Sequence, residues 1–245
     1  MKVFNVSGTQ GDTYTNCCKL INIKENIKLI HIQPFPELNN IIRKIYSLVP
    51  NIVDITIINT SDESKFDPRI PRIHSQSKKY LEEPDYIEMN FFPNFEFKSD
   101  YNFKFPYLVL QPKAGQEFQK REMKLKLVKK IIKDSKYKVI LIGTSKKYEK
   151  VNNCINLINK TSYFDAFSII KNAKYFIGVM GIMAMVALSH KVNCNIIIDN
   201  DHEIKVRIKD MPWENYIKKM ITLTDYLKME STLIYKLKTH FYKFI

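Results

Sequence analysis

The sequence predicts an α/β protein with two Rossmann-like domains, each built on a parallel β-sheet, that face each other across a cleft. Three observations predict this class. Short apolar runs alternate with amphipathic segments over the first sixty residues, which is typical of parallel strands joined by helices. The same alternation begins again at Tyr107, after a stretch rich in proline. Most of the six glycines closely follow an apolar run, where the loops of a parallel sheet bind ligands.

The composition predicts a folded chain rather than a disordered one. Of the 245 residues, 45% are hydrophobic and 12% are aromatic, so one large domain or two small ones can form a core. No apolar run reaches the roughly 18–20 residues of a membrane span, and the first ten residues lack the pattern of a signal peptide. The four cysteines show no metal-ligand spacing. We therefore expect a reducing, cytoplasmic setting.

The chain is strongly basic, with 39 lysines and arginines, 25 acidic residues and a net charge of +14. Such a surface favours acidic partners, which include nucleotides, anionic lipid headgroups and nucleic acid. Lysine, isoleucine and asparagine are frequent throughout the chain, which indicates the compositional bias of an AT-rich virus, phage or bacterium rather than one binding patch. Nucleic acid is therefore the less favoured partner, and a basic nucleic-acid-binding protein stays an alternative.

The amino-terminal domain, residues 1–100, opens with a β-α-β-α-β alternation. Apolar runs predict strands at residues 3–6, 28–32 and 52–58, and helical spacing predicts helices at residues 13–20 and 37–48. A polar loop with two glycines joins the first strand to the first helix at residues 7–12.

Residues 60–107 differ from the alternating segments on either side. Five of the ten prolines and a cluster of aromatic residues fall here. They predict a partly irregular segment with one strand at residues 86–89 and an interdomain linker at residues 95–105.

The carboxyl-terminal domain, residues 101–222, repeats the alternation. Strands are predicted at residues 107–110, 138–142, 156–158, 175–177 and 194–198. Helices are predicted at residues 120–134, 163–171 and 182–189, with short ones at 146–151 and from residue 211. A closing helix at residues 223–245 is amphipathic and rich in lysine. It either packs on its apolar face or makes a peripheral membrane contact.

One stretch organises the second domain. An apolar strand runs into Gly178 and Gly181, and an apolar helix begins at once with Ile182. Such a turn brings backbone N–H groups and a helix N-terminus together, where an anionic group binds well. The alternative is an ordinary crossover in which the glycines serve only a tight turn.

Residues 107–198 resemble the carboxyl-terminal domain of the heptosyltransferase-like glycosyltransferases (glycosyltransferase family 9 type), which have the two-domain GT-B fold. Four pieces match that family in order. They are LVLQP at 108–112 followed by KRE at 120–122, VILIG at 139–143, the helix-opening pair Thr161 and Ser162, and FIGVMGIMAMVA at 176–187. In the first domain, Gly11 and Asp12 match the family's Gly-Asp turn into a helix, more weakly.

The sequence departs from the family pattern at several places. Met180 stands where the family has Asp or Ser before the second glycine, with one residue apparently missing, and Ala184 stands where it has histidine. The tryptophan after the lysine is absent, and the chain is shorter than usual. These departures remove side-chain hydrogen bonds to phosphate but keep the backbone N–H groups of Gly181 and Ile182.

The resemblance implies an inverting, metal-independent glycosyltransferase that moves a sugar from a nucleotide-diphosphate donor to a hydroxyl of a glycan, lipid or protein acceptor. It implies no cofactor besides the nucleotide sugar. Asp12 is the expected catalytic base. The acceptor-side loop comprises Gly8, Thr9, Gln10 and Gly11. The expected donor-binding residues are Lys113, Lys120, Arg121, Gly143, Thr144, Thr161, Ser162, Gly178, Met180, Gly181 and Ile182.

Several of these residues have a plainer interpretation. Asp12 could cap the first helix, and Thr161 and Ser162, with Asp165, could cap the helix that follows them. Lys120 could be one more lysine on a basic helix. The five histidines show no HxH or HExxH spacing, so no metal site is expected. At the level of function, the alternative is a catalytically impaired relative that binds a nucleotide or a protein partner, which Met180 and Ala184 favour.

Overall fold

The structure is a computed structural model that describes residues 1–73, 89–114, 121–198 and 212–222. The chain divides into two compact units, Met1–Phe95 and Glu96–Ile245. Each unit has its own sheet, and both sheets are parallel. The predicted α/β class with two Rossmann-like parallel sheets is thereby confirmed.

Within residues 1–73 and 89–95, the first unit has a four-stranded sheet and two α-helices. Its elements are β1 (Lys2–Ser7), α1 (Gln10–Leu20), β2 (Ile27–Gln33), α2 (Asn39–Tyr46), β3 (Ile52–Asn59) and β4 (Arg72–Ile73), with single 3₁₀ turns at Pro36–Leu38 and Glu63–Lys65. The strand order is β3-β2-β1-β4.

The two helices of the first unit are held by burial of one face. In α2, Ile42, Ile45 and Tyr46 are fully buried at i, i+3 and i+4, which is the spacing of one helix face. In α1, buried Tyr14 and Leu20 pack into the same interior. Complete burial of such side chains contributes roughly 1.5–3 kcal/mol each.

The part of the second unit that the structure describes has a six-stranded sheet and three α-helices. Its elements are β5 (Tyr107–Gln111), α3 (Leu125–Asp134), β6 (Lys138–Leu141), β7 (Ile155–Asn156), α4 (Tyr163–Lys171), β8 (Tyr175–Val179), α5 (Ile182–Ser189), β9 (Asn193–Ile198) and β10 (Ile217–Thr222), with 3₁₀ turns at Lys146–Tyr148 and Pro212–Tyr216. The order is β10-β9-β8-β5-β6-β7. Every residue of β5 and β8 is buried, as expected for central parallel strands covered on both faces.

Three predicted boundaries were wrong in ways that matter for the site. Helix α1 begins at Gln10 rather than at residue 13, because Thr9 and Asp12 form a capping box that starts it earlier. Strand β8 continues through Val179, so Gly178 lies inside the strand and not in the turn. Helix α3 begins at Leu125 rather than at residue 120, because residues 121–123 lie antiparallel to residues 112–114.

Other differences are smaller. Strands β4 and β10 were not predicted. Helix α2 is shorter than predicted, because Pro36–Leu38 forms a separate 3₁₀ turn before it. The predicted short helices at 146–151 and from 211 are single 3₁₀ turns. Among the predicted features, Lys120, the strand at 86–89 except Met89, and the closing helix at 223–245 lie outside the described residues. No described helix is long and apolar enough to span a membrane.

In each sheet the strand order reverses at one point. In the first unit the chain moves from β1 through β2 to β3 and then returns to the other side of β1 for β4. In the second unit it moves from β5 to β7 and then continues from β8 to β10 on the other side of β5. A reversal leaves a crevice at the carboxyl ends of the two strands beside it, and open α/β sheets bind ligands there. The two crevices lie at β1/β4 and at β5/β8.

Position 178 requires a glycine because the Phe176 ring leaves no room for a side chain there. A Cβ atom at Gly178 would lie 2.5 Å from Cζ of Phe176, a ring that is completely buried and cannot move away. We expect Gly178→Ala to lower the free energy of unfolding by roughly 1–3 kcal/mol, the usual cost of overpacking. Urea unfolding measures this loss. Lys174→Ala, an exposed change just before β8, should stay within about 0.5 kcal/mol of the wild type. A Gly178→Ala protein as stable as the wild type would contradict the packing.

Candidate functional site

The crevice of the second unit is centred on Gln111, the last residue of β5. In the sheet register Gln111 lies opposite Gly178 of β8. The side chain lies between two glycines. Its Oε1 atom is 3.1 Å from the position that a Cβ of Gly178 would take, and its Cγ atom is 4.0 Å from the corresponding position at Gly143. The strand ends of β5, β6 and β8 therefore meet around one buried amide.

A short antiparallel clasp follows Gln111. The amide of Ala114 donates to the carbonyl of Arg121 at 3.0 Å, and that of Met123 donates to the carbonyl of Pro112 at 2.7 Å. Lys113 lies opposite Glu122 in this clasp. The clasp brings Lys113 and Arg121 to neighbouring positions, both half-buried.

The clasp also touches the start of α5. A Cβ at Gly181, the N-cap residue of that helix, would lie 3.0 Å from Cβ of Ala114. Since no described side chain caps α5, its first-turn N–H groups have no capping acceptor among the described residues. The structure thus places the clasp that carries Lys113 and Arg121 against Gly181, the residue before Ile182. The donor-binding roles expected for these four residues stay predictions.

Gly178 and Met180 contribute differently from what the sequence indicated. Both are buried, and the sheet register places Gly178 between paired residues on both sides. The amide of Met180 donates to the carbonyl of Ile197 at 2.7 Å. The backbone groups of Gly178 and Met180 therefore hold β8 in the sheet. Of the N–H donors expected for an anion, the amides of Gly181 and Ile182 remain.

Gln111 is a site residue that the sequence analysis missed. Its Nε2 donates to the carbonyl of Lys113 at 2.6 Å, which fixes the amide orientation, because a flipped amide would set two acceptors against each other. Its Oε1 atom is buried and accepts no hydrogen bond from any described group. A buried unpaired acceptor costs about 1–3 kcal/mol. The sequence signal that could have identified Gln111 is a polar residue at the end of an apolar strand.

The start of α4 supports the capping interpretation of Ser162. The Ser162 hydroxyl accepts from the amide of Asp165 at 3.1 Å, and the Asp165 carboxylate accepts from the amide of Ser162 at 3.0 Å. Ser99 Oγ donates to the same carboxylate at 2.9 Å. Partial burial opposes ionisation, but these hydrogen bonds outweigh it and lower the pKa of Asp165.

The loop before α4 is tied to the β6 end of the crevice. The amide of Asn159 donates to the carbonyl of Gly143 at 2.9 Å. Thr144 follows as an exposed residue, and Thr161 is half-buried. The roles expected for Gly143, Thr144, Thr161 and Ser162 in donor binding stay predictions.

The crevice of the first unit holds Asp12. Thr9 is the N-cap of α1, and Asp12 is the third residue of the helix, where its Oδ2 accepts from the amide of Thr9 at 3.1 Å. Gln10 and Gly11 form the first turn between them. Asp12 is only half-buried, so a carboxylate reaches the strand-end surface of this unit. The capping interpretation is correct in part, since Asp12 pairs with the N-cap residue rather than being it.

Arg72 of β4 adds a cation to the same crevice. Its guanidinium donates to Ser7 Oγ at 3.2 Å and forms an ion pair with Glu63 at 2.5 Å. The sequence analysis missed Arg72 because β4 is only two residues long and follows an irregular stretch.

His31 of β2 is completely buried beneath this crevice. Its Nε2 lies 3.0 Å from the carbonyl oxygen of Gly8, and its Nδ1 lies 2.9 Å from the hydroxyl of Tyr46. Burial lowers the pKa of His31 from 6.5 to about 4, which keeps the ring neutral at pH 7.

No metal-binding cluster is present in the part of the chain that the structure describes, where no three His, Cys, Asp or Glu side chains come together. All four cysteines are free. Burial raises the pKa of Cys17, Cys18 and Cys194 and keeps these thiols protonated. The expectation that the protein uses no metal stays a prediction.

Each of the two units thus has a Rossmann-like parallel sheet with one reversal of strand order. No protein-family model matches the sequence, and no curated protein matches it. Solved structures do match. A family 9 glycosyl transferase from Veillonella parvula is 10% identical and aligns over 94% of this chain and 88% of its own, with a TM-score of 0.61.

Two further structures agree. The E. coli ADP-heptose LPS heptosyltransferase II is 12% identical over 91% of this chain and 90% of its own, with a TM-score of 0.54. TibC, an iron-containing dodecameric glycosyltransferase from enterotoxigenic E. coli, is 14% identical over 80% of this chain, with a TM-score of 0.51. This chain spans 57% of the length of TibC. At these identities the likeness is one of fold, and it agrees with the family that the motifs resemble.

The buried ring of His31 predicts a specific loss of stability in acid. The unfolded chain takes up a proton below pH 6.5, whereas the folded chain resists it until about pH 4. Stability is therefore full above pH 6.5 and falls as the pH drops from 6.5 to 4. The loss from this one group is at most about 3.5 kcal/mol, since one pKa unit is worth about 1.4 kcal/mol.

Urea unfolding of the wild type and of His31→Gln across this pH range measures the effect. The gap between the two free energies of unfolding should narrow as the pH falls. A constant gap would show that His31 does not titrate as its burial requires.

Proposed function

We propose that this protein is an inverting, metal-independent glycosyltransferase that moves a sugar from a nucleotide-diphosphate donor to an acceptor hydroxyl. The observation that supports the proposal lies at the β5/β8 strand-order reversal, where the clasp that carries Lys113 and Arg121 contacts Gly181, the N-cap residue of α5. The likeness of fold to a family 9 glycosyl transferase and to an ADP-heptose LPS heptosyltransferase II supports it.

The donor diphosphate binds at the start of α5. Two phosphates need cations and N–H donors, and charge-assisted hydrogen bonds are the strong ones. The amides of Gly181 and Ile182 supply donors, and Lys113 and Arg121 supply positive charge. Lys120 would add a third cation. The leaving diphosphate gains negative charge as the sugar departs, so fixed donors at this position lower the barrier.

The nucleoside lies along the strand ends, away from the phosphates. Gln111 Oε1 can accept a hydrogen bond from a hydroxyl or an exocyclic amine of the nucleoside, which would satisfy its buried acceptor. Thr161 and Ser162 border the same edge beyond Gly143, in the region that the family resemblance assigns to the nucleoside.

Asp12 is the proposed base. Its carboxylate takes the proton from the acceptor hydroxyl, whose oxygen then forms a bond to the anomeric carbon of the sugar. The bond from that carbon to the diphosphate oxygen breaks, and attack from the opposite side inverts the configuration. A carboxylate has two oxygens and about four lone-pair sites, so Asp12 can cap α1 and act as a base. The acceptor is a glycan, lipid or protein hydroxyl.

A second candidate is a relative that binds a nucleotide or a protein partner without transferring a sugar. Two buried apolar residues favour it, Met180 and Ala184, because they stand where the resembled family has Asp or Ser and a histidine. Titration calorimetry with ADP and transfer assays together separate the two candidates, since this relative would bind the nucleotide and release no sugar.

Substitution of Asp12 tests the catalytic assignment. Asp12→Asn keeps an oxygen that can accept from the Thr9 amide, so the helix start is preserved while the base is lost. We expect the rate of sugar release to fall by about 10²–10⁴ with little change in ADP affinity. The measurement is release of ADP from ADP-heptose, the donor named for the E. coli structure, and from other nucleotide-diphosphate sugars.

Asp54→Asn is the matched control, because Asp54 is an acid of the same unit that pairs with Lys28 on β2. It should leave the rate unchanged. Equal rates in Asp12→Asn and the wild type would show that Asp12 is not the base.

Two charges on the clasp should govern donor affinity. The double variant Lys113→Gln/Arg121→Gln removes both cations beside the start of α5, and we expect ADP to bind about 10-fold to 100-fold more weakly, with a smaller salt dependence. Titration calorimetry measures this. The control Lys129→Gln/Lys133→Gln removes two exposed lysines of α3 and the same net charge. Equal affinities of the two variants would mean that the general basic charge, and not the clasp, binds the nucleotide.

A further inference from the structure

His31 is a buried ring with both nitrogens engaged. It belongs to β2, is 0% exposed, and lies between the hydroxyl of Tyr46 on α2 and the carbonyl of Gly8 after β1. The rings of His31 and Tyr46 meet edge to face, with centroids 5.6 Å apart and planes at 73°. The imidazole therefore has a single location and a single orientation.

Its two partners determine the tautomer. A carbonyl oxygen can only accept, so the nitrogen that faces Gly8 must carry the proton. The other nitrogen, Nδ1, then has a lone pair and accepts from the Tyr46 hydroxyl. Because burial keeps the ring neutral, this Nε2–H tautomer holds at pH 7.

Both backbone polar groups of Gly8 are consequently held by β2. Its N–H donates to the carbonyl of Ile32 at 3.3 Å, and its carbonyl accepts from His31. Gly8 has φ of +113°, a conformation that side chains disfavour. A Cβ at Gly8 would lie 2.5 Å from both Cβ and Oδ2 of Asp12. The Asp12 carboxylate thus rests against the backbone that His31 and Ile32 hold in place.

We propose that His31 is a positioning residue for Asp12 and acts through the carbonyl of Gly8. The Tyr46 hydroxyl orients the ring, the ring holds Gly8 in its left-handed conformation, and this conformation fixes where the Asp12 carboxylate lies. The catalytic consequence rests on the proposed function, in which Asp12 is the base. The placement of Asp12 by His31 does not depend on that function.

The structural test uses two variants of the full chain. His31→Gln keeps an amide donor near the position of Nε2, whereas His31→Asn places its amide near Nδ1 and leaves the Gly8 carbonyl without a donor. Crystal structures should show the Gly8 conformation and the Asp12–Thr9 hydrogen bond retained in His31→Gln and lost in His31→Asn. An unchanged Gly8 and Asp12 in His31→Asn would overturn the proposal.

Nitrogen-15 NMR of the wild type provides a measurement that needs no variant. The proposal requires the proton of His31 on Nε2 at pH 7, and a proton on Nδ1 would overturn it. This keeps the test decisive even where His31→Asn fails to fold.

The kinetic test measures kcat and KM for ADP-heptose and ADP affinity. We expect kcat of His31→Asn to fall by about 10²-fold with ADP affinity unchanged, since a misplacement near 1 Å has this cost. His31→Gln should stay within about 3-fold of the wild type. Ile45→Val, a buried change on α2, controls for lost stability. Equal kcat values for the two His31 variants would overturn the catalytic part, whereas a wild type that consumes no nucleotide sugar would refute the proposed function and leave the structural result standing.

Discussion

Parallel strands end at a common edge, and the rest of this molecule depends on that constraint. In each sheet the chain first adds strands on one side of the first strand and then adds the remaining strands on its other side. Helices therefore cannot cover the carboxyl-terminal edge of the sheet at the point where the strand order reverses. Polar groups gather there in both units. The carboxyl end of β5 holds Gln111 and the basic clasp, and the carboxyl end of β1 holds the loop from Gly8 to Asp12. The chemistry proposed for the chain follows from these two locations.

At the carboxyl-terminal edges of both sheets, some residues both cap a helix and belong to the candidate site. Asp12 completes the capping box of α1 while its carboxylate stays half-buried at the surface of the crevice. Ser162 and Asp165 close the start of α4 in the same way. Helix α5 differs, because its N-cap residue is Gly181 and no side chain in the described part of the chain caps its first turn. A helix start that no described side chain caps suits a ligand that supplies negative charge.

Much of the fold could be predicted from the sequence, because apolar periodicity reports burial directly. The central strands and α4 appear as expected, and Tyr163–Lys171 agrees at both ends. Strand β4 was not predicted, because a strand of two residues is too short to show an alternation of apolar and polar side chains. The role of Gly178 was also not predicted, because a side chain at this position would clash with the Phe176 ring. Residue spacing in the sequence does not show such a contact.

The site could be predicted less completely than the fold. Loops that follow strands were identified from glycines, and Asp12, Lys113 and Arg121 lie at the two crevices. Gln111 and His31 were not identified, because their importance comes from neighbours distant in sequence. His31 meets Gly8 across 23 residues and Gln111 meets Gly178 across two neighbouring strands. Only the assembled sheet brings such partners together.

A crystal structure of the full chain soaked with ADP tests the central claim most directly. The account predicts the diphosphate at the amides of Gly181 and Ile182, with Lys113 and Arg121 beside it and the nucleoside along the strand ends near Gln111. A diphosphate bound elsewhere on the chain, or no ADP bound at millimolar concentration, would contradict it.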